Sequence, residues 1–358
     1  MTYFMMILIT GILINICLPY MKQQTLGAVC IFGYEFRFKR EFFIAIVTLP
    51  MFLLLALQYA VHSDYDNYIK MFYQVQFGKS NIEIGYRLIN KMTAMLNLDF
   101  QWIYVIMYGI SFILLVKCLL PYSEDIFLSL LLLFFVFFEI VFMQIRQLAA
   151  VLICMSAFHL IAEKKMWRYF LAILIACSFH KSAVIMLPMY FFLSYDFKFT
   201  YYLMIGGALF GLGIFSNRWI PFLLGKFMPE RVGWFQMYKS NPIGKWQSLF
   251  LLLMLIIVIL YYDQIKEMHA FNRILLNAFL LRIIIFLCGN WIPENRRFGF
   301  YFYLPITILI PNLLAREKNK YLKSLLSFIV CASVFVVFWM QYGGGELLNY
   351  KSIFSRIG

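Results

Sequence analysis

The chain has 358 residues, of which 63% are hydrophobic, 20% are aromatic and only 13% are charged. Its mean hydropathy is +0.81, whereas soluble domains are about half apolar and about a quarter charged, so the composition excludes a soluble globular protein. The net charge of +14 fits basic cytoplasmic loops and a phosphate-rich substrate, and we expect no nucleic-acid partner. We therefore predict an all-α polytopic integral membrane protein that has the lipid bilayer as its surroundings.

Continuous apolar segments follow one another along the whole chain. A spanning helix needs about 20 such residues, and we predict about ten to twelve transmembrane helices in a single transmembrane domain. The candidate spans are 3–20, 42–61, 101–120, 126–143, 147–162, 169–193, 201–215, 247–262, 274–291, 300–314 and 325–342.

Lysine and arginine set the orientation of these spans. They concentrate in the loops 21–40, 163–168 and 315–324, which are therefore predicted to be cytoplasmic. This places the long loop 62–100 outside, but counting single spans from the two sides gives conflicting positions for the loop 216–246. The conflict disappears if 169–193 is a broken pair of short helices or a re-entrant hairpin that turns at residues 180–182. We prefer this solution and predict two extracytoplasmic loops, because non-helical backbone is tolerated at depth where it lines a wet cavity.

The outer loop 62–100 carries charged residues that we interpret as lining a cavity for a polar headgroup. In a helix, residues four apart share a face. The charged candidates are Asp64, Asp66, Glu83 and Arg87. Tyr65 stands between the two aspartates, and an aromatic ring beside carboxylates suits the stacking of a sugar.

An alternative interpretation of the same loop is a helix that lies on the membrane surface. Tyr65, Ile69, Phe72 and Tyr73 form an apolar stripe at i, i+4, i+7 and i+8, which is typical of an interfacial helix with a solvated charged face.

Ionisable residues also interrupt the strongly apolar block 144–188, namely Arg146, His180 and Lys181. A charge in such surroundings costs several kcal/mol unless it is paired or wet, which favours a functional role. The alternative is that Arg146 and Lys181 only extend from helix ends to the lipid headgroups. Small or polar residues follow Arg146 and His180 where an anchor would favour Trp or Tyr. For these two residues we prefer the functional interpretation, whereas for Lys181 both interpretations stand.

Further along, Arg296 and Arg297 stand at the mouth of a span, and Arg282 lies deeper in the sequence LLRIIIF. Arginine binds phosphate oxygens with a two-pronged geometry. A set of outward-facing arginines departs from the usual charge bias, and a pyrophosphate-bearing lipid would account for it. Contact with ordinary anionic lipids is the alternative.

Few metal or cofactor motifs are present. The seven cysteines are scattered without a CxxC pair, which indicates neither a disulfide framework nor a zinc site. No P-loop, GxSxG, HExxH or dinucleotide-binding motif is visible. Asp64-Tyr65-Asp66 has the spelling of a D-x-D motif, so a Mg²⁺ or Mn²⁺ site there stays open as an alternative. We expect no metal and no cofactor.

Five short motifs in order carry a family resemblance that covers roughly residues 60–312. They are HSDYDNY, NIEIGYRLIN, MQIRQLAA, FHKSAVIMLP and NRRFGFYFYLPITILIP. Together they resemble the EpsG family of bacterial exopolysaccharide polymerases, which are similar to the Wzy-type polymerases of O-antigen and capsule. The first two spans and the tail after Pro311 add little to the resemblance, and the ending GGGELLNYKSIF does not match the family pattern.

The resemblance implies a GT-C-like membrane glycosyltransferase in the bacterial inner membrane. Such enzymes act at the outer face and transfer a growing glycan from undecaprenyl pyrophosphate onto a lipid-linked repeat unit, without a metal. Their partners would be an undecaprenyl-pyrophosphate-linked oligosaccharide and a chain-length regulator protein. A flippase of lipid-linked oligosaccharides and an O-antigen ligase are the alternative functions.

By the same resemblance, the charged residues take on roles. Arg146, together with Arg296 or Arg297, would hold the pyrophosphate, and His180 would be the base. The acceptor pocket would contain Asp64, Asp66 and Glu83, with Tyr65, Arg87, Lys181 and Arg282 as further substrate-binding residues.

Overall fold

The structure is a computed structural model that describes residues 2–21, 27–31, 34–62, 64–78, 82–195, 198–239, 244–287, 295–343 and 350–356. Its α-helices are α1 Thr2–Met21, α2 Arg40–Ala56, α3 Asp64–Gln76, α4 Ile84–Met95, α5 Gln101–Leu114, α6 Ile126–Leu131, α7 Phe138–Met143, α8 Ile145–Ser156, α9 Phe158–Ala162, α10 Met166–Phe179, α11 Met189–Ser194, α12 Phe199–Ile214, α13 Ser216–Phe227, α14 Glu230–Lys239, α15 Lys245–Leu260, α16 Tyr262–Glu267, α17 Ala270–Leu287, α18 Asn295–Tyr303, α19 Ile306–Arg316 and α20 Lys320–Tyr342.

Several helices continue into other backbone forms. Leu115–Leu119 and Leu132–Val136 are π-helical, and Leu120–Tyr122, Lys181–Met186 and Ile353–Arg356 are 3₁₀-helical. Two short strands, β1 Gly27–Ile31 and β2 Tyr34–Phe38, pair in antiparallel fashion, with Gly27 opposite Phe38.

The helices confirm a multi-pass membrane protein, although fewer of them have full spanning length than the sequence predicts. Among the described residues, five helices are long and apolar enough to cross a membrane, or six when the bent pair of α12 and α13 counts as one span. The five are Gln101–Tyr122, Ile145–Ala162, Ala270–Leu287, Asn295–Arg316 and Lys320–Tyr342. Other predicted spans are shorter apolar helices or are divided by breaks in the backbone, because hydropathy measures length in sequence and not the continuity of a helix.

The centre of the bundle is the predicted span 126–143. Its side chains are buried almost throughout, and Phe134, Phe138 and Phe142 are fully enclosed. Tyr3 of α1 contacts the rings of Phe138 and Phe142 edge-on, with centroids 5.6 and 5.4 Å apart. A segment that is apolar on every side is stable only when other elements surround it, and α1, α8, α19 and α20 pack around this one.

The segment 169–193 is a hairpin. α10 ends at Phe179, His180 is extended, and the chain then returns beside α10. The Tyr169 hydroxyl near the start of α10 donates to the Met186 carbonyl at 2.6 Å, and the Tyr190 ring lies 5.4 Å from the Tyr169 ring. The turn therefore occurs at His180, where the parity argument from the sequence requires it.

Polar contacts define one end of the bundle, which we call the basic end. Arg40 donates to the carbonyls of Pro121 and Ser123 at 2.8 and 2.9 Å, and Arg316 pairs with Glu124 at 2.8 Å. The hydroxyl of Tyr261, the residue that follows α15, donates to Glu317. Because α15 ends there, its first residue Lys245 lies toward the opposite end.

Candidate functional site

A cleft of about 350 Å³ opens at the end of the bundle opposite the basic end. The 18-residue run Ile145–Ala162 connects the two ends, since about 27 Å of helix separates Arg146 from the loop 163–168. The residues that line the cleft are Asp64, Asn67, Tyr68, Lys70, Met71, Gln74, Gln144, Arg146, Gln147, His180 and Arg297. They come from α3, the break between α7 and α8, the first turn of α8, the tip of the α10 hairpin, and α18.

α3 presents a polar face to the cleft and an aromatic face to the protein. The cleft side carries Asp64, Asn67, Tyr68, Met71 and Gln74 at i, i+3, i+4, i+7 and i+10, a spacing that keeps them on one side of a helix.

The opposite face of α3 packs largely against the protein, which does not favour the membrane-surface interpretation. Tyr65 and Phe72 are only 3% and 4% exposed, and their rings lie 5.5 and 5.9 Å from the ring of Phe100. Tyr65 and Phe72 of the apolar stripe therefore pack at the start of α5 inside the protein, whereas Tyr73 is exposed. For the same reason Tyr65 does not reach the cleft, and its hydroxyl instead contacts Gln101 at 3.1 Å.

Arg146 lies in the cleft wall because the helix breaks just before it. Gln144 has φ −109° and ψ 59°, and α8 begins at the next residue. The Arg146 guanidinium contacts the Glu83 carboxylate at 2.6 Å and lies 5.4 and 5.9 Å from the rings of Tyr86 and Tyr68. An arginine that only anchors the chain to headgroups would not be paired and stacked in this way.

Glu83 connects three elements at this point. Its Oε2 atom pairs with Arg146 of α8, while Oε1 accepts a hydrogen bond from the Lys181 amide at 3.3 Å. Since Glu83 also precedes α4, one carboxylate joins the start of α4, the start of α8 and the hairpin tip. The Lys181 side chain itself is exposed and is not part of the cleft lining.

His180 caps the 3₁₀-helix that begins at the hairpin tip. Its Nδ1 atom accepts from the Ser182 amide at 3.3 Å and lies 2.6 Å from the Ser182 hydroxyl, which in turn lies 2.9 Å from the Tyr301 hydroxyl. Burial, first of all, and the nearby Arg146 and Arg297 lower the pKa of His180 from its ordinary value to about 4, and the Glu83 carboxylate opposes this effect. A neutral imidazole is the form that burial and two nearby cations favour.

The three arginines near the last spans have different positions. Arg297 lines the cleft, and its carbonyl accepts a hydrogen bond from the Gln147 side chain at 2.7 Å. Arg296, the adjacent residue, is directed elsewhere and pairs with Glu139. Arg282 is buried, donates to Asn295 at 3.2 Å and lies 5.4 Å from the Tyr303 ring. Of the three, Arg297 is in a position to meet a ligand in the cleft.

The structure thus brings together some of the predicted site residues and separates others. Asp64, Arg146, His180 and Arg297 share the cleft, with Glu83 directly behind Arg146. The remaining predicted residues lie outside its lining: Tyr65, Asp66, Arg87, Lys181, Arg282 and Arg296.

Sequence reasoning missed the other lining residues, notably Lys70, Gln144 and Gln147. A signal for those on α3 was present, because the polar positions complement the apolar stripe at helical spacing. No local pattern marks Gln144 and Gln147, which reach the cleft through the helix break.

No group of three or more His, Cys, Asp or Glu side chains that could hold a metal ion occurs in the described parts of the chain. Asp64 and Asp66 do not act as a pair. They are two apart on α3, where such residues face different directions, and Asp66 is exposed outside the cleft lining.

The fold and the cleft define a helical multi-pass membrane protein with a cationic polar site at one end. The model of the EpsG family matches residues 41–352, most of the chain, so the chain belongs to the EpsG family. This family is associated with Wzy-type polymerases, and membership supports a polymerase-like role in polysaccharide synthesis. No curated protein and no solved structure matches the chain.

Proposed function

We propose that this protein is a bacterial surface-polysaccharide polymerase of the inner membrane. It would transfer the growing glycan from undecaprenyl pyrophosphate onto a lipid-linked repeat unit at the outer face. The observation that carries this proposal is the charge of the cleft lining, in which the described residues include three cations, Arg146, Arg297 and Lys70, and a single carboxylate, Asp64.

Glycosyl transfer from a lipid pyrophosphate places negative charge on the leaving group. The bond between the anomeric carbon and a phosphate oxygen breaks, and the pyrophosphate leaves with the electron pair. Fixed cations stabilise this charge where it develops. Arg146 is held by Glu83 and two tyrosine rings, so its guanidinium is already oriented before the substrate binds.

The acceptor hydroxyl forms the new bond to the anomeric carbon and loses its proton. A base in contact with the acceptor must take that proton, and the cleft lining offers the Asp64 carboxylate and the His180 imidazole. A volume of about 350 Å³ lies within the usual range of small-ligand pockets, about 300–1,000 Å³. The cleft therefore suits the pyrophosphate and the reacting sugar, with the lipid tails outside it in the bilayer.

The experiment that tests this proposal is the glycan ladder of a strain that lacks the protein. We expect single repeat units on the acceptor lipid, with the full ladder restored by the wild-type gene and not by Asp64→Ala. Asp263→Ala is the matched control, because this exposed carboxylate lies in α16, away from the cleft. An acceptor lipid without any repeat unit would contradict a polymerase and indicate a flippase or a ligase.

We further propose that the cleft cations make a divalent ion unnecessary. Polymerisation by the purified protein should then continue in EDTA, and a loss of polymer that Mn²⁺ restores would contradict this part of the proposal. A chain-length regulator as partner stays a prediction.

A further inference from the structure

The two ring nitrogens of His180 are not equivalent in this structure. The Ser182 amide hydrogen is fixed to its nitrogen and can only donate, and it is directed at Nδ1 over 3.3 Å. Nδ1 must therefore present its lone pair. In a neutral imidazole one nitrogen is protonated and the other is not, so the proton of His180 is on Nε2.

The neighbouring hydroxyls agree with this tautomer. A chain of donors can run from the Tyr301 hydroxyl to the Ser182 hydroxyl, over 2.9 Å, and from there to Nδ1, over 2.6 Å. The Ser182 hydroxyl then accepts from Tyr301 and donates to Nδ1, so both hydroxyl protons have an acceptor. Ser182 and Tyr301 are thus positioning residues that hold the ring in one orientation.

The ring is neutral over the range in which the protein would work. With a pKa lowered to about 4 by burial, protonation begins only as the pH falls toward that value. Between about pH 5 and pH 8, His180 therefore has one donor at Nε2 and an Nδ1 lone pair that is already in use. The lone pair that a base needs is not available to a substrate.

We propose that His180 donates its Nε2–H to an oxygen of the pyrophosphate leaving group, and that Asp64 is the base that deprotonates the acceptor. This inference rests on the proposed function. In the cleft lining, His180 lies close enough to the two cations Arg146 and Arg297 for both to act on its charge. The leaving group would be bound beside these cations. In the transfer step, the acceptor proton moves to the Asp64 carboxylate as the acceptor oxygen bonds to the anomeric carbon and the bond to phosphate breaks.

The decisive comparison is His180→Gln with His180→Ala. A glutamine amide keeps a donor near the position of Nε2 but has no usable basicity. We expect His180→Gln to stay within about tenfold of the wild-type rate and His180→Ala to lose about ten- to a hundredfold, the range for a hydrogen bond to a charged group. Asp64→Asn should lose transfer while still binding undecaprenyl pyrophosphate in nanodiscs, because its charge is needed only when the proton moves.

The pH dependence gives a second readout. We expect the profiles of the wild type and of His180→Gln to have the same shape between about pH 5 and pH 8, because His180 does not titrate there. A His180→Gln variant that is folded and binds the lipid pyrophosphate but is inactive would overturn the inference. A pH-dependent rise or fall in the wild-type rate that is absent in His180→Gln would overturn it as well.

A third measurement does not depend on polymerase activity. The chain has four histidines, so selective ¹⁵N labelling gives a small set of signals, and the His180 signals are those missing in His180→Gln. We expect the neutral Nε2–H tautomer at pH 7, and either the Nδ1–H tautomer or the imidazolium would overturn the inference. If the wild type forms no polymer while this tautomer is observed, the proposed function fails and the assignment of the His180 proton stands.

Discussion

The Arg146–Glu83 pair links two motifs that are 63 residues apart in the chain. Their side chains are only 19% and 11% exposed, and removal of one partner from such a pair leaves an unpaired charge that is costly to keep buried. Tyr68 and Tyr86 add aromatic faces to the guanidinium. The arginine is thereby held rigidly at the edge of the cleft, as the recognition of a phosphate requires.

We predict that Arg146→Lys is nearly as damaging as Arg146→Ala. A lysine keeps the charge but lacks the planar fork that contacts Glu83 and stacks between the tyrosines at once. Both variants should reduce the polymerisation rate by about ten- to a hundredfold, the range for a lost hydrogen bond to a charged group. Rates of the purified proteins, normalised to folded protein, provide the measurement.

Arg273→Lys is the control for this substitution, since Arg273 is exposed on α17 and donates only to the Lys266 carbonyl among the bonds described for it. Wild-type activity of Arg146→Lys would show that charge alone suffices and would reduce Arg146 to a simple anchor.

α4 and α10 approach each other closely at Gly85. A Cβ atom there would lie 2.5 Å from the Ser178 hydroxyl and 2.8 Å from the Ser178 carbonyl oxygen, and the second of these cannot move without the helix. The neighbouring side of α4 exposes Ile84, Leu88 and Met92 at i, i+4 and i+8, an apolar stripe typical of an amphipathic helix. α4 thus packs tightly on α10 at Gly85, and it begins beside Glu83.

We predict that Gly85→Ala destabilises the protein by about 1–3 kcal/mol, the usual cost of extra volume at a tight contact. α4 would have to move away from α10 and would take Glu83 with it, so transfer activity should fall together with the thermal midpoint in detergent. Gly109→Ala in α5 is a matched control, because no atom lies within 4 Å of its added Cβ. Equal midpoints for the two variants would show that the α4–α10 contact adapts freely.

The two ends of the molecule differ in chemistry. At the basic end, Arg40 donates to backbone carbonyls just before Glu124, and Glu124 pairs with Arg316. The cleft opens at the other end. Because the chain turns back at His180, α10 begins on the same side of the bundle on which the returning chain ends. With the positive-inside rule, this arrangement predicts that the cleft faces away from the cytoplasm.

We predict that single cysteines report this orientation in a variant without the seven native cysteines. Tyr73→Cys and Met228→Cys should react with a membrane-impermeant maleimide on intact cells. Lys164→Cys and Lys318→Cys should react only after the membrane is opened. Labelling of Met228→Cys only in opened cells would place 216–246 in the cytoplasm and contradict the hairpin topology.

Hydropathy and loop charge were sufficient to predict a helical membrane protein, the positions of its apolar segments and the turn at His180. They suffice because each polar backbone group or charge that is exposed to lipid adds its own free-energy cost, which depends on the local sequence. The same local logic identified Asp64, Arg146, His180 and Arg297 as residues that need a polar environment.

Hydropathy and loop charge could not predict three features of the site. These are the pairing of Glu83 with Arg146, the burial of Tyr65 and the separation of Arg296 from Arg297. Each depends on which helices pack together and on the direction of a side chain after a break such as Gln144. Neighbouring residues in a helix point about 100° apart, so two adjacent arginines with the same sequence signal can have different partners. The fold places one of them in the cleft and the other against Glu139, because long-range packing sets the rotation of α18.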